Sequence, residues 1–169
     1  AAEVDEHLAT LEGKAGRRLG DADDPLLVSV RSGAKFSMPG MMETVLNIGL
    51  NDTSVEGLAA QTENPRFAWD SYRRLVQMYG KTVLDLDGDR FEDAIDAAKA
   101  AKGVTADVDL DADDLRALVS TYKSIIEQEA CSPFPQDPRA QLHGAIVAVF
   151  NSWNSPRAIL YRRREHIPT

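Results

Sequence analysis

Two basic side chains, Arg31 and Lys35, stand in the segment Val28-Ser29-Val30-Arg31-Ser32-Gly33-Ala34-Lys35-Phe36-Ser37-Met38-Pro39-Gly40-Met41-Met42. An arginine that leaves the end of a buried strand, followed by a stretch containing Ser32, Gly33, Ser37 and Gly40, suits phosphate binding. A guanidinium, an ammonium, backbone N–H groups and a helix N-terminus can converge on one anion. The spacing predicts such a helix beginning near Met41. The competing reading of the same residues is a strand, a loop and a helix with incidental charges, and pattern alone leaves both open.

A second basic group, Arg157, Arg162, Arg163 and Arg164, falls on the last predicted helix. Arg162–Arg164 near a helix C-terminus are accounted for by the helix dipole. An anionic partner is the functional alternative. Other motifs carry less. Gly80-Lys81-Thr82 resembles the end of a P-loop, but the position that needs the first glycine is Leu75, so a helix end is expected. The aspartate runs 85–89 and 107–111 lack the glycine at position six and the glutamate at position twelve of a calcium loop. Helix caps and a solvated acidic face are expected there instead. His7, His143 and His166 have no ligand spacing, and His143 is expected to be partly buried. Cys131 lies in a proline-rich link without a neighbouring base, so no nucleophile is expected. No metal site is expected.

The elements that must position these groups are mostly helical. The chain has 169 residues, 43% hydrophobic and 27% charged, with a net charge of −8. Residues 85–114 hold 11 acids against 3 bases, an excess equal to that whole net charge. The acidity argues against a nucleic-acid partner, and no apolar run is long enough to cross a membrane. One cysteine excludes a disulfide framework. The sequence ends, without an initiator Met or signal peptide, fit a fragment.

Helices are predicted from Thr53 or Ser54 to Gln61, from Asn64-Pro65 to Gly80, from an Asp89/Glu92 acidic pair to Gly103, from Asp111, from Asp137-Pro138, and from Ser155-Pro156. The Asn64 helix is read as running through Phe67, Ser71, Leu75, Met78 and Tyr79 and stopping at Gly80. The Asp111 helix shows Leu115, Leu118, Val119, Tyr122, Ile125 and Ile126 at near-3.6 spacing. Leu142, Ala145, Ile146, Val149, Phe150 and Trp153 are read as one face of the Asp137 helix. Only Leu26–Val30 reads as a strand, and its partners must lie in 1–22 or outside the sequence.

The runs Leu26–Ala34, Ser37-Met38-Pro39-Gly40-Met41-Met42, Thr44–Asn47, Gly49–Asp52, Asn64-Pro65-Arg66-Phe67, Ser71-Tyr72-Arg73-Arg74, Phe134–Pro138 and Pro156-Arg157-Ala158-Ile159 resemble pyruvate, phosphate dikinase. The similarity extends from about Leu11 to Pro168. The phosphoenolpyruvate synthases share the Val-Arg-Ser strand end and diverge after it. The resemblance implies an enzyme that converts ATP, phosphate and pyruvate to AMP, pyrophosphate and phosphoenolpyruvate with magnesium. A swivelling domain carries its phosphohistidine.

On this resemblance the chain is an internal piece of the ATP-grasp domain. Its fold class is mainly α, with about five to seven helices and a short strand remnant of an α+β domain. Residues 1–51 form part of the nucleotide-binding subdomain, 52–154 an inserted helical subdomain, and 155–169 a return helix. The resemblance makes Arg31 the catalytic phosphate contact. Arg31, Ser32, Gly33, Lys35, Ser37, Gly40 and Met41 are the ATP-binding set, and Arg157, Arg162 and Arg163 the surface that meets the phosphohistidine domain.

The magnesium ligands are expected beyond Thr169. The full-length enzyme is expected to be a cytoplasmic homodimer, and this segment alone inactive. The alternatives are a phosphoenolpyruvate synthase-like phosphotransferase, a degenerate regulatory paralogue, and a stand-alone helical module that binds protein partners.

Overall fold

A computed structural model describes residues 2–32 and 43–167. The described elements, in chain order, are α1 (Ala2–Ala15), β1 (Arg18–Leu19), β2 (Pro25–Leu26), β3 (Val28–Arg31), β4 (Thr44–Ile48), α2 (Ser54–Thr62) and α3 (Pro65–Met78). A π-turn (Tyr79–Val83) follows, then α4 (Gly88–Lys102), a 3₁₀ turn (Asp107–Asp109), α5 (Ala112–Ala130), α6 (Pro138–Ser152) and α7 (Pro156–Arg164). The architecture is mainly α with small sheets, as the sequence led one to expect.

Polar side chains start the helices. Asn64 accepts from the Phe67 N–H at 3.0 Å and Pro65 opens α3. Asp111 accepts from the Asp113 and Asp114 N–H groups, while the Asp114 carboxylate accepts from the Asp111 N–H at 2.9 Å, a complete capping box. For α4 the cap is Asp87 rather than Asp89: its carboxylate accepts from the Asp89 N–H at 3.0 Å. Asp89 is thereby placed inside the first turn, where the dipole favours an acid. Gly103 closes α4 at φ +75°.

The core lies between α3 and α5. All six apolar positions anticipated for α5 are buried. The buried stripe of α3 runs through Ala68, Trp69, Tyr72, Leu75 and Val76 and continues to Tyr79 in the π-turn. Phe67 is 48% exposed, because it stands a helical step of about 100° from Ala68. Phe150 of α6 is likewise 74% exposed, since the buried stripe of α6 follows Gln141, Leu142, Ala145 and Val149. Aromatic rings fill the centre. Phe91 meets Tyr122 edge-on at 5.0 Å, and Phe134 meets Tyr79 at 5.4 Å. Gly80 is required here, for a Cβ at that position would lie 2.5 Å from Phe91 Cζ.

The anticipated strand is split at Leu27. β2 pairs in parallel with β1, and β3 pairs antiparallel with β4 in the register Val30↔Val45 and Arg31↔Thr44. The expectation of a helix beginning near Met41 is corrected in part. Met41 and Met42 lie outside the described residues, and by Thr44 the chain is already a strand. Thr44, Val45 and Ile48 are β-branched and suit a pleated surface, and Val45 and Ile48 are fully buried.

Just past β4, Gly49 adopts φ +113°, where a Cβ would stand 2.7 Å from the Leu26 carbonyl oxygen. Buried Gln141 of α6 secures this corner. Its amide oxygen accepts from the Gly49 N–H at 3.1 Å, and its amide nitrogen donates to the carbonyls of Leu50 and Pro135.

Candidate phosphate-binding site

β3 and β4 set out the site. Their pairing carries Arg31 to the sheet end opposite Thr44, and the Arg31 side chain is exposed there. No carboxylate among the described residues pairs with it. Ser32 follows and is half-buried. The remaining members of the anticipated set, Gly33, Lys35, Ser37, Gly40 and Met41, lie outside the described residues.

The structure brings Arg157 to the same end of the sheet. Ser155 caps α7 by accepting from the Ala158 N–H at 3.3 Å, and Pro156 starts its first turn. Arg157, 70% exposed, extends from that turn to place Nη2 3.8 Å from Oε1 of Glu43. Glu43 immediately precedes Thr44, the register partner of Arg31. The contact of Glu43 with Arg157 was not legible in the sequence. A single glutamate before an unrecognised strand gives no pattern, and its relation to Arg157 exists only in three dimensions.

The basic cluster of α7 is divided by burial. Arg163 and Arg164 are exposed, and Arg164 pairs with Glu165 at 3.0 Å. Arg162, expected on a partner-facing surface, is only 4% exposed. Its guanidinium lies 4.2 Å from the Trp153 ring centroid and donates through Nη1 to the Trp153 carbonyl. It thus joins the end of α6 to α7, and the helix direction turns it inward where Arg163 turns out. His143 is exposed rather than partly buried, one position beyond the buried stripe of α6. Cys131 is exposed and ends α5 at φ +51°.

Four acids of the acidic stretch pair with its two lysines. Lys99 lies 2.8 Å from Asp96 and 3.1 Å from Asp107. Lys102 lies 2.5 Å from Asp111 and also bonds Asp114. The Lys102 ammonium, and next the Asp114 backbone N–H, hold the Asp111 carboxyl down at about 2. Among the described residues no three histidine, cysteine or acidic side chains converge to hold a metal ion. Nor is any described helix long and apolar enough to cross a membrane.

The family described as "Pyruvate phosphate dikinase, AMP/ATP-binding domain" matches residues 1–169. The chain belongs to this family.

It is 53% identical over 167 residues to the pyruvate, phosphate dikinase of Clostridium symbiosum, covering 98% of this chain and 19% of that protein. It is 54% identical over 160 residues to the Giardia intestinalis pyruvate, phosphate dikinase, covering 95% of this chain and 18% of the relative. The chloroplastic pyruvate, phosphate dikinase 1 of Oryza sativa subsp. japonica is 53% identical over 160 residues, with 95% of this chain and 17% of that protein covered. The chain thus spans about one fifth of the length of these dikinases.

Proposed function

We propose that this chain supplies the phosphate-contacting edge of the nucleotide-binding domain of a pyruvate, phosphate dikinase. The enzyme converts ATP, phosphate and pyruvate to AMP, pyrophosphate and phosphoenolpyruvate through a phosphohistidine. On this reading residues 1–51 and 155–169 belong to the nucleotide-binding subdomain, and 52–154 to a helical subdomain inserted in it. The dikinase is cytoplasmic and homodimeric. Magnesium, held by acids outside this segment, neutralises phosphate charge when bound.

The supporting observation is the exposed Arg31 at a paired strand end, without a carboxylate partner among the described residues. Phosphoryl transfer asks a protein mainly for positioning and charge stabilisation. The planar guanidinium offers a fixed fork of donors that matches two phosphate oxygens. A backbone fixed by strand pairing limits the freedom lost when the fork engages. Ser32, Gly33, Lys35, Ser37, Gly40 and Met41 complete the ATP-binding set in this reading. Arg157 and Arg163, both exposed, face the domain that carries the phosphohistidine.

The test is Arg31→Ala in the full-length dikinase. Histidine phosphorylation from labelled ATP is expected to fall by about 10²–10³-fold, as for other preorganised donors to a developing charge. The melting temperature should stay unchanged, because the side chain is exposed. A variant that forms phosphoenzyme at the normal rate overturns the proposal.

A further inference from the structure

Glu43 joins two parts of the chain that are distant in sequence. It precedes Thr44, the strand partner of Arg31. Its Oε1 lies 3.8 Å from Arg157 Nη2 at the start of α7. The Thr82 hydroxyl of the π-turn donates to Oε2 at 3.5 Å. The Glu43 backbone N–H donates to Oγ of buried Ser152, at the end of α6, at 3.4 Å. Thr82 belongs to Gly80-Lys81-Thr82, whose glycine is taken up by packing against Phe91 and whose hydroxyl turns toward Glu43.

We propose that Glu43 is a positioning residue for phosphoryl transfer. It orients the Arg157 guanidinium at the sheet end that carries Arg31, so that the two arginines flank one phosphoryl group. The inference rests on the reading given under Proposed function. Three physical points support it. An arginine that is 70% exposed samples many rotamers unless a partner fixes it, and Glu43 is the partner the structure provides. The pair uses Nη2, which leaves Nη1 and Nε free to donate to phosphate oxygens. Two cations brought to one edge repel, and a carboxylate beside them offsets that repulsion before any anion arrives.

An exposed ion pair by itself orients weakly. Here the carboxylate is also met by Thr82, and the Glu43 backbone is tied to Ser152. The arginine is therefore held by a group that is itself anchored from two further elements.

The test uses the full-length dikinase with Glu43→Gln, Glu43→Asp, Arg157→Gln and the double variant Glu43→Gln/Arg157→Gln. Single-turnover phosphohistidine formation, the KM for ATP and the melting temperature are measured for each. Glu43→Gln is expected to slow phosphohistidine formation about tenfold, the scale of one charge-assisted contact, with the KM for ATP changed less than about twofold. Glu43→Asp should recover most of the rate. The double variant should be no slower than Arg157→Gln alone, because Glu43 acts through that arginine.

A wild-type rate for Glu43→Gln overturns the inference, and so does a double variant whose loss is the product of the two single losses. A rate loss that tracks a fall in melting temperature and is not recovered by aspartate also overturns it, since that is a purely structural role. These failures are separable from failure of the underlying reading. If Arg31→Ala is deficient while Glu43→Gln is normal, only the Glu43 role is lost. If Arg31→Ala is normal, the functional reading itself falls.

Discussion

In the α4–α5 region almost every cation already has an anion. Lys99 is shared by Asp96 and Asp107, Lys102 by Asp111 and Asp114, and Arg90 meets Glu129 at 2.8 Å. Nearby, Lys123 and the Tyr72 hydroxyl both bond Asp52. At the end of β3 the arrangement is reversed. Arg31 is exposed and pairs with no described carboxylate, and Arg157 has a single, longer contact to Glu43. The two regions teach that charge density is a poor guide to chemistry. The acid-rich stretch uses Asp87 and Asp111 as caps and Asp96, Asp107 and Asp114 in internal pairs. The stretch with a few bases leaves them available, and a base that is not neutralised is what a phosphate requires.

The sharpest way to test this contrast is to compare variants that should separate stability from activity. Tyr72 is fully buried against Trp69 and Phe134, and its hydroxyl donates to Asp52 at 2.9 Å. Burial raises its phenol pKa, so the group stays protonated as the donor. Tyr72→Ala is expected to lose about 3–5 kcal/mol in urea unfolding, whereas Arg31→Ala should leave the unfolding midpoint in place. Equal stability losses from the two would erase the distinction.

A smaller effect is expected at Gly80. Adding a methyl group 2.5 Å from Phe91 Cζ must displace a ring packed against Tyr122. Gly80→Ala should cost about 1–3 kcal/mol, and a fluorescence-monitored denaturation curve would check it. Smaller again is the loss of a helix start. Asn64→Ala removes the acceptor for the Phe67 N–H and should destabilise by about 1 kcal/mol.

The mildest prediction concerns acid. The Asp111 carboxyl titrates at about 2, below its ordinary 3.8, because its ionised form accepts from Lys102 and from the Asp114 N–H. A group depressed in the folded state contributes stability that is complete above its unfolded value and disappears as pH falls through the folded one. The melting temperature should therefore decline as pH falls from about 4 toward 2, and less steeply in Asp111→Asn. An unchanged acid slope in that variant would show that the cap carries no proton linkage.

Much of the fold was legible because helices are local. The positions of Asn64-Pro65, Asp111 and Asp137-Pro138 mark helix starts whatever the chain does elsewhere, since a cap serves N–H groups two or three residues away. The α5 face was read residue by residue, because six apolar side chains at helical spacing leave one solution. Errors arose where neighbours decide. Phe150 is apolar and near the right face, but a single helical step separates it from the buried stripe. Arg162, His143 and the Asp89 helix start failed for similar reasons, each one or two positions from the role assigned. β4 was missed because a five-residue strand has no meaning without its partner.

The amino-acid sequence alone determined the helix framework, the concentration of acid in 85–114 and the family resemblance, since each depends on residues close together or on one recognisable run. Tertiary structure alone decided which charges remain available. It buried Arg162 against Trp153, paired Asp96, Asp107, Asp111 and Asp114 with Lys99 and Lys102, and brought Glu43 to Arg157 beside the strand partner of Arg31. Charge neutralisation acts over a few ångströms in space, and no spacing along the chain records it.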